Sequence, residues 1–169
     1  MNKLHNFINI SIGSAFGLGL SPLLPGSCGA VLGVILYLPV VYYFPFHIAN
    51  IVIIILFMIV SWLNHILTPW AVKYYKNEDP SHFVLDEVAG FLVIPIAFAT
   101  CNPIIIATYG FLILRILDAI KLPPANFIDQ NLHGPYGILL DDVVSALYTV
   151  VVLNILLFYF SETDLLFFL

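Results

Sequence analysis

The side chains able to do chemistry in this 169-residue chain are few, and seven of the fifteen charged ones fall into three short clusters. Asp86 and Glu87 stand side by side in Phe83-Val84-Leu85-Asp86-Glu87-Val88-Ala89-Gly90. Arg115, Asp118 and Lys121 recur at i, i+3 and i+6, a spacing that places them on one helix face. Asp141 and Asp142 end Gly137-Ile138-Leu139-Leu140-Asp141-Asp142. Paired carboxylates that converge repel one another unless a cation neutralises them. Mg²⁺ does so with hard oxygen ligands, using one or two carboxylates, water and substrate phosphate. Arg115 and Lys121 add fixed positive charge, and a guanidinium grips a phosphate bidentately. Carboxylates, a divalent cation and basic groups together form a kit for phosphoryl chemistry.

Each cluster alone also fits a bland role. Acids favour a helix N-terminus, and Arg115 with Asp118 fits a structural ion pair. His82 and His133 read as loop residues, Glu78, Asp79, Glu162 and Asp164 as solvated charges, and Ser27 as a helix cap or a phosphate contact. Other phosphate chemistries lack their signatures. There is no Asp-x-Asp nucleophile and no Walker loop, and no arginine follows Cys28 or Cys101 by six residues.

The elements that must position these residues are membrane elements. Hydrophobic residues make up 62% of the chain, charged residues 9%, and the mean hydropathy is +1.05. An ordinary soluble domain is about 25% charged, so a soluble globule and a disordered chain are excluded. A net charge of −5 leaves no basic surface for nucleic acid. Two cysteines supply neither a disulfide framework nor a four-cysteine zinc site. The topology read below puts them on opposite faces, so both are expected to be free.

Residues 4–72, 88–114 and 143–161 carry no Asp, Glu, Lys or Arg. A spanning helix needs about 20 apolar residues. Proline and glycine cut the apolar stretches into helices over 28–44, 48–72, 82–99, 103–121 and 137–160. A loop at 21–27, a turn at 100–103 and a polar loop at 122–135 separate them. Asp79-Pro80-Ser81 is expected to cap the helix from His82. Residues 7–20 are short for a span and expected to be re-entrant or interfacial. The fold class is therefore all-α integral membrane, with about four transmembrane helices plus that short N-terminal helix, in one domain over 1–169. Lysines stay on the cytoplasmic side. Lys73, Lys76 and Lys121 thus place the three clusters and the 21–27 loop on the cytoplasmic face. A rival reading joins 84–119 into one helix and separates Asp86 from Arg115; Pro95 and Asn102-Pro103 oppose it.

Four ordered motifs resemble the phosphatidylglycerophosphatase A family: Gly-Leu-Ser-Pro-Leu-Leu-Pro-Gly-Ser at 19–27, Val-Leu-Asp-Glu-Val-Ala-Gly at 84–90, Arg-Ile-Leu-Asp-Ala-Ile-Lys at 115–121, and the stretch 129–142 ending in Asp141-Asp142. The last includes Asp129, His133, Gly134 and Gly137. Departures lie at Leu122, Pro135, Leu139 and Ser27, and every charged motif position is kept. The resemblance implies a Mg²⁺-dependent lipid phosphatase of the bacterial inner membrane that converts phosphatidylglycerophosphate to phosphatidylglycerol. On that reading Asp86, Glu87, Asp141 and Asp142 hold the metal, and Asp86, Glu87, Asp118 and Asp142 are catalytic. Arg115, Lys121 and Ser27 bind the substrate phosphate, and the active site faces the cytoplasm. The alternative is a small transporter or proton pathway, since intramembrane carboxylates also serve there. Residues 51–63 and 146–160 offer such a pathway almost no polar relay.

Overall fold

A computed structural model describes residues 3–98 and 102–167. Helix starts follow the proline and glycine punctuation. Pro25 opens α2 (Pro25–Tyr43), Pro103 opens α5 (Pro103–Ile105) with the Asn102 side chain accepting from the Ile104 N–H, and Pro135 opens α8 (Pro135–Tyr159). Proline suits these first-turn positions because its missing N–H is unneeded there and its φ is already helical. The remaining helices are α1 (Lys3–Gly13), α3 (Phe46–Tyr75), α4 (Leu85–Ala97), α6 (Phe111–Ile120), α7 (Ala125–Asn131) and α9 (Glu162–Phe167). A π-turn over Ile106–Gly110 joins α5 to α6 in one continuous helix.

Among the described residues there is no strand, and four helices are long and apolar enough to cross a membrane: Pro25–Tyr43, Phe46–Tyr75, Pro103–Ile120 and Pro135–Tyr159. The protein is an all-α membrane protein. The fifth apolar segment behaves differently from the expected helix over 82–99. It is helical only over Leu85–Ala97, about 20 Å at 1.5 Å per residue. Nearly every one of its side chains is buried, and it packs against α2, α3 and α8. A helix apolar all round is a core helix, and here it is the centre of the bundle.

The cap expected at Asp79–Ser81 does not form. Residues 82–84 bond to the N-terminal segment instead: the Val84 N–H donates to the Gly13 carbonyl at 2.9 Å, and the His82 ring contacts the Gly19 carbonyl at 3.0 Å. Those tertiary bonds delay the helix to Leu85, which leaves Asp86 and Glu87 in its first turn. The N-terminal stretch is α1 followed by a left-handed turn at Ala15, Phe16 and Gly17 and a short 3-10 turn at Leu18–Leu20. The 122–135 stretch contains α7 rather than loop throughout. The chain is helical to Ala97 and again from Pro103, so the single helix over 84–119 is not formed. Cys28 is a free thiol; Ala99, Thr100 and Cys101 lie outside the described residues.

Candidate functional site

Two helices bring the acids together. Asp86 and Glu87 sit at the start of α4, and Asp142 lies on α8. One carboxylate oxygen from each comes within 4.8 Å of the others. Gly90 permits this approach. It stands one turn beyond Asp86, and a Cβ added to it would come within 3.1 Å of the Asp142 Cβ. A side chain there would crowd Asp142, so the bare backbone lets α8 pack this closely. Asp86 and Asp142 are only 6% and 5% exposed. Oδ1 of Asp86, Oε2 of Glu87 and Oδ2 of Asp142 are buried with no hydrogen-bond partner among the described residues. Burying an unpaired carboxylate oxygen is costly, so three in one place form an incomplete set. A hard divalent cation is the group that such a set of carboxylate oxygens fits.

Asp141 does not join that group. Its Oδ2 accepts from the Lys121 ammonium at 2.9 Å, and Asp129 Oδ1 accepts from the same nitrogen at 2.6 Å. Asp141 and Asp142 point about 100° apart around α8, and here Asp141 is directed to Lys121 while Asp142 is directed to Asp86 and Glu87. Lys121 caps α6 in a left-handed conformation, with φ of 48°. It therefore leaves the i, i+3, i+6 face expected from its spacing and reaches toward α7 and α8. Burial works against its charge, but the bonds to Asp129 and Asp141 outweigh it and raise its pKa above the ordinary lysine value.

Arg115 forms the other side of the site. Its Nη1 pairs with Asp118 Oδ2 at 3.0 Å, one turn along α6. Its Nε donates to the Ser27 hydroxyl at 3.1 Å. Ser27 thus reaches the site through the guanidinium. Beside it, Gly26 has its backbone against Glu87 and Arg115: an added Cβ would overlap Glu87 Oε1 and lie 2.7 Å from an Arg115 nitrogen.

These groups line a cavity of about 350 Å³ that includes Asp86, Glu87, Asp142, Arg115, Asp118 and Lys121. A second cavity, also about 350 Å³, shares Asp79, Asp86 and Asp141 with it and is lined further by Asp129, Gln130 and His133. His133 Nδ1 meets Glu78 Oε2 at 3.2 Å across its rim. Asp79, read from sequence as a solvated charge, lines both cavities. It is exposed at their rim, and partial loss of water there raises its carboxyl pKa, with Lys121 pulling the other way.

Of the expected site residues, then, Asp86, Glu87 and Asp142 come together, and Arg115, Asp118 and Lys121 share their cavity. Asp141 pairs with Lys121, and Ser27 with Arg115. The residues missed were Gly26 and Asp79. Pro25-Gly26-Ser27 marks a helix start, but nothing in it announces a contact with residues 61 and 89 positions away. Asp79 sits in an irregular loop that carries no periodicity.

A family model described as Phosphatidylglycerophosphatase A matches residues 11–157. The chain is 33% identical to the Phosphatidylglycerophosphatase A of Escherichia coli K12 over 131 residues, 78% of this chain and 73% of that protein. It is 30% identical over 162 residues to a Putative phosphatidylinositol-3-phosphatase of Bacteroides thetaiotaomicron, 90% of this chain and 96% of that one. To the Phosphatidylglycerophosphatase A of Haemophilus influenzae it is 27% identical over 141 residues, 81% of each chain. No solved structure matches it significantly.

Proposed function

The chain belongs to the phosphatidylglycerophosphatase A family, and from that premise we propose that it hydrolyses phosphatidylglycerophosphate to phosphatidylglycerol and phosphate in a Mg²⁺-dependent reaction. As a member of this family it is a phosphatase. The observation that carries the metal requirement is the buried, incompletely satisfied group of Asp86, Glu87 and Asp142. These three residues would hold Mg²⁺, with Asp141 and Asp118 close by on the same cavity wall. When bound, the ion supplies charge neutralisation at the phosphate and a lowered pKa for an adjacent water.

The chain's own groups do the rest. Arg115 is preset by Ser27 and Asp118 to present its guanidinium to the phosphate oxygens and stabilise charge that grows in the transition state. Lys121 adds a second positive charge to the same cavity. A water attacks phosphorus in line with the glycerol oxygen. Its proton passes to Glu87 or Asp142 and then to the departing glycerol oxygen. The phosphorus–oxygen bond to glycerol breaks, releasing the lipid alcohol and inorganic phosphate.

The lysines at 73, 76 and 121 support placing this cavity on the cytoplasmic side, and the family supports the inner membrane as its location. Family membership and the gathering of acids beside an arginine favour the enzyme over the transporter. The test is phosphate release from phosphatidylglycerophosphate in detergent, with Mg²⁺ and with chelator. Release in Mg²⁺ that stops on chelation is expected; equal release in both would overturn the metal requirement.

A further inference from the structure

The cavity that holds Arg115 and the acids has an apolar lip on the α2 side. Leu24, Pro25 and Gly26 line it, and the chain leading to them is apolar and open. Leu23 is 78% and Leu24 73% exposed, and Phe16, on the left-handed turn after α1, is 80% exposed. Exposed leucines are ordinary on a helix that faces lipid, but these are not on one. They stand in the loop between the 3-10 turn and α2, and that loop is held in a defined shape. The Ser21 hydroxyl accepts from the Leu23 N–H at 3.3 Å and donates to its carbonyl at 2.8 Å. Leu24 takes a left-handed conformation, φ 52° and ψ 57°. Non-glycine residues rarely adopt it, and Asn and Asp do so most readily. A leucine there spends both backbone strain and apolar exposure to stand at the mouth of a charged cavity.

Resting on the lipid phosphatase reading, we propose that Leu23 and Leu24 form the acyl-chain docking lip of the site. They would hold the first carbons of a diacyl phosphomonoester while its phosphate reaches Arg115. The occupant follows from continuity. The charge of the cavity suits a phosphate and disfavours hydrocarbon, and the lip is an apolar surface continuous with it. A lipid with its phosphate beside Arg115 lays its chains where the lip is.

The test compares two substrates for the wild type and for Leu23→Ser/Leu24→Asn. One is diacyl phosphatidylglycerophosphate in mixed micelles, the other its water-soluble deacylated headgroup. Asparagine accepts the φ at 24, so the loop keeps its shape; thermal melting verifies that the variant is folded. The ratio of kcat/KM for the diacyl over the deacylated substrate should fall about tenfold or more, carried by KM. An equal fall on both substrates, or no change on either, would overturn the docking lip. A wild type that releases phosphate from neither substrate would overturn the phosphatase reading itself and the lip with it.

Discussion

Gly90 on α4 lies so close to Asp142 on α8 that a methyl group added at 90 would sit 3.1 Å from the Asp142 Cβ. Gly90→Ala therefore pushes the two helices apart at the point where Asp142 meets Asp86 and Glu87. Overpacking of this kind costs about 1–3 kcal/mol. The variant should melt at lower temperature in detergent and need a higher Mg²⁺ concentration for half-maximal activity. Unchanged Mg²⁺ dependence would show that the glycine only packs.

Asp86→Asn, Glu87→Gln and Asp142→Asn keep size and remove charge. Each should lower kcat about a hundredfold or more. Asp141→Asn separates the ion-pair role from a metal role, because its carboxylate is turned to Lys121. It should lower the melting temperature while keeping a near-native Mg²⁺ titration. Glu162→Gln, on α9, which packs against α5, should leave turnover intact. Near-native rates for both Asp86→Asn and Asp142→Asn would remove the metal assignment.

Ser27→Ala takes away one hydrogen bond to Arg115 Nε, a contact of about 1 kcal/mol. Activity should drop about fivefold, with Arg115→Lys far more damaging because lysine cannot hold Ser27, Asp118 and a phosphate at once. If Ser27→Ala and Arg115→Lys were equally mild, the guanidinium would not be the phosphate anchor.

Lys121 makes a pH-dependent contribution to stability whose sign is set by its raised pKa. Its stabilisation is fully present below the unfolded lysine value, about 10.4, and is lost as pH rises through the higher folded value. Melting temperatures of wild type and Lys121→Met should therefore differ by a constant amount between about pH 8 and 9, where the lysine is charged and its carboxylate partners are ionised. On the alkaline side the gap should narrow only in strong alkali. A gap that closes near neutrality would mean that the Asp129–Lys121–Asp141 bridge is not what the lysine contributes.

Membership of the helical membrane class was set by the sequence itself. Long stretches that are apolar throughout, without the alternation of barrel strands, satisfy their backbone polar groups in lipid as helices, and Pro25, Pro103 and Pro135 mark where three of those helices begin. The chemistry was legible too, because a charge in so apolar a chain needs a reason to be there. What residue spacing left open was which charges meet. Asp141 and Asp142 are adjacent in sequence, yet one pairs with Lys121 and the other meets Asp86 and Glu87, whereas the equally adjacent Asp86 and Glu87 stay together. Lys121 fits the face of Arg115 and Asp118 by spacing, but a left-handed cap turns it toward α7. The 82–84 stretch resembles a helix start, but the Val84 N–H donates to the Gly13 carbonyl and the His82 ring contacts the Gly19 carbonyl. Gly26 looks like a loop glycine until packing places it against Glu87 and Arg115. The deciding contacts, Lys121 with Asp141, Val84 with Gly13 and Gly26 with Glu87 and Arg115, join residues far apart in the chain, and only tertiary packing brings them together.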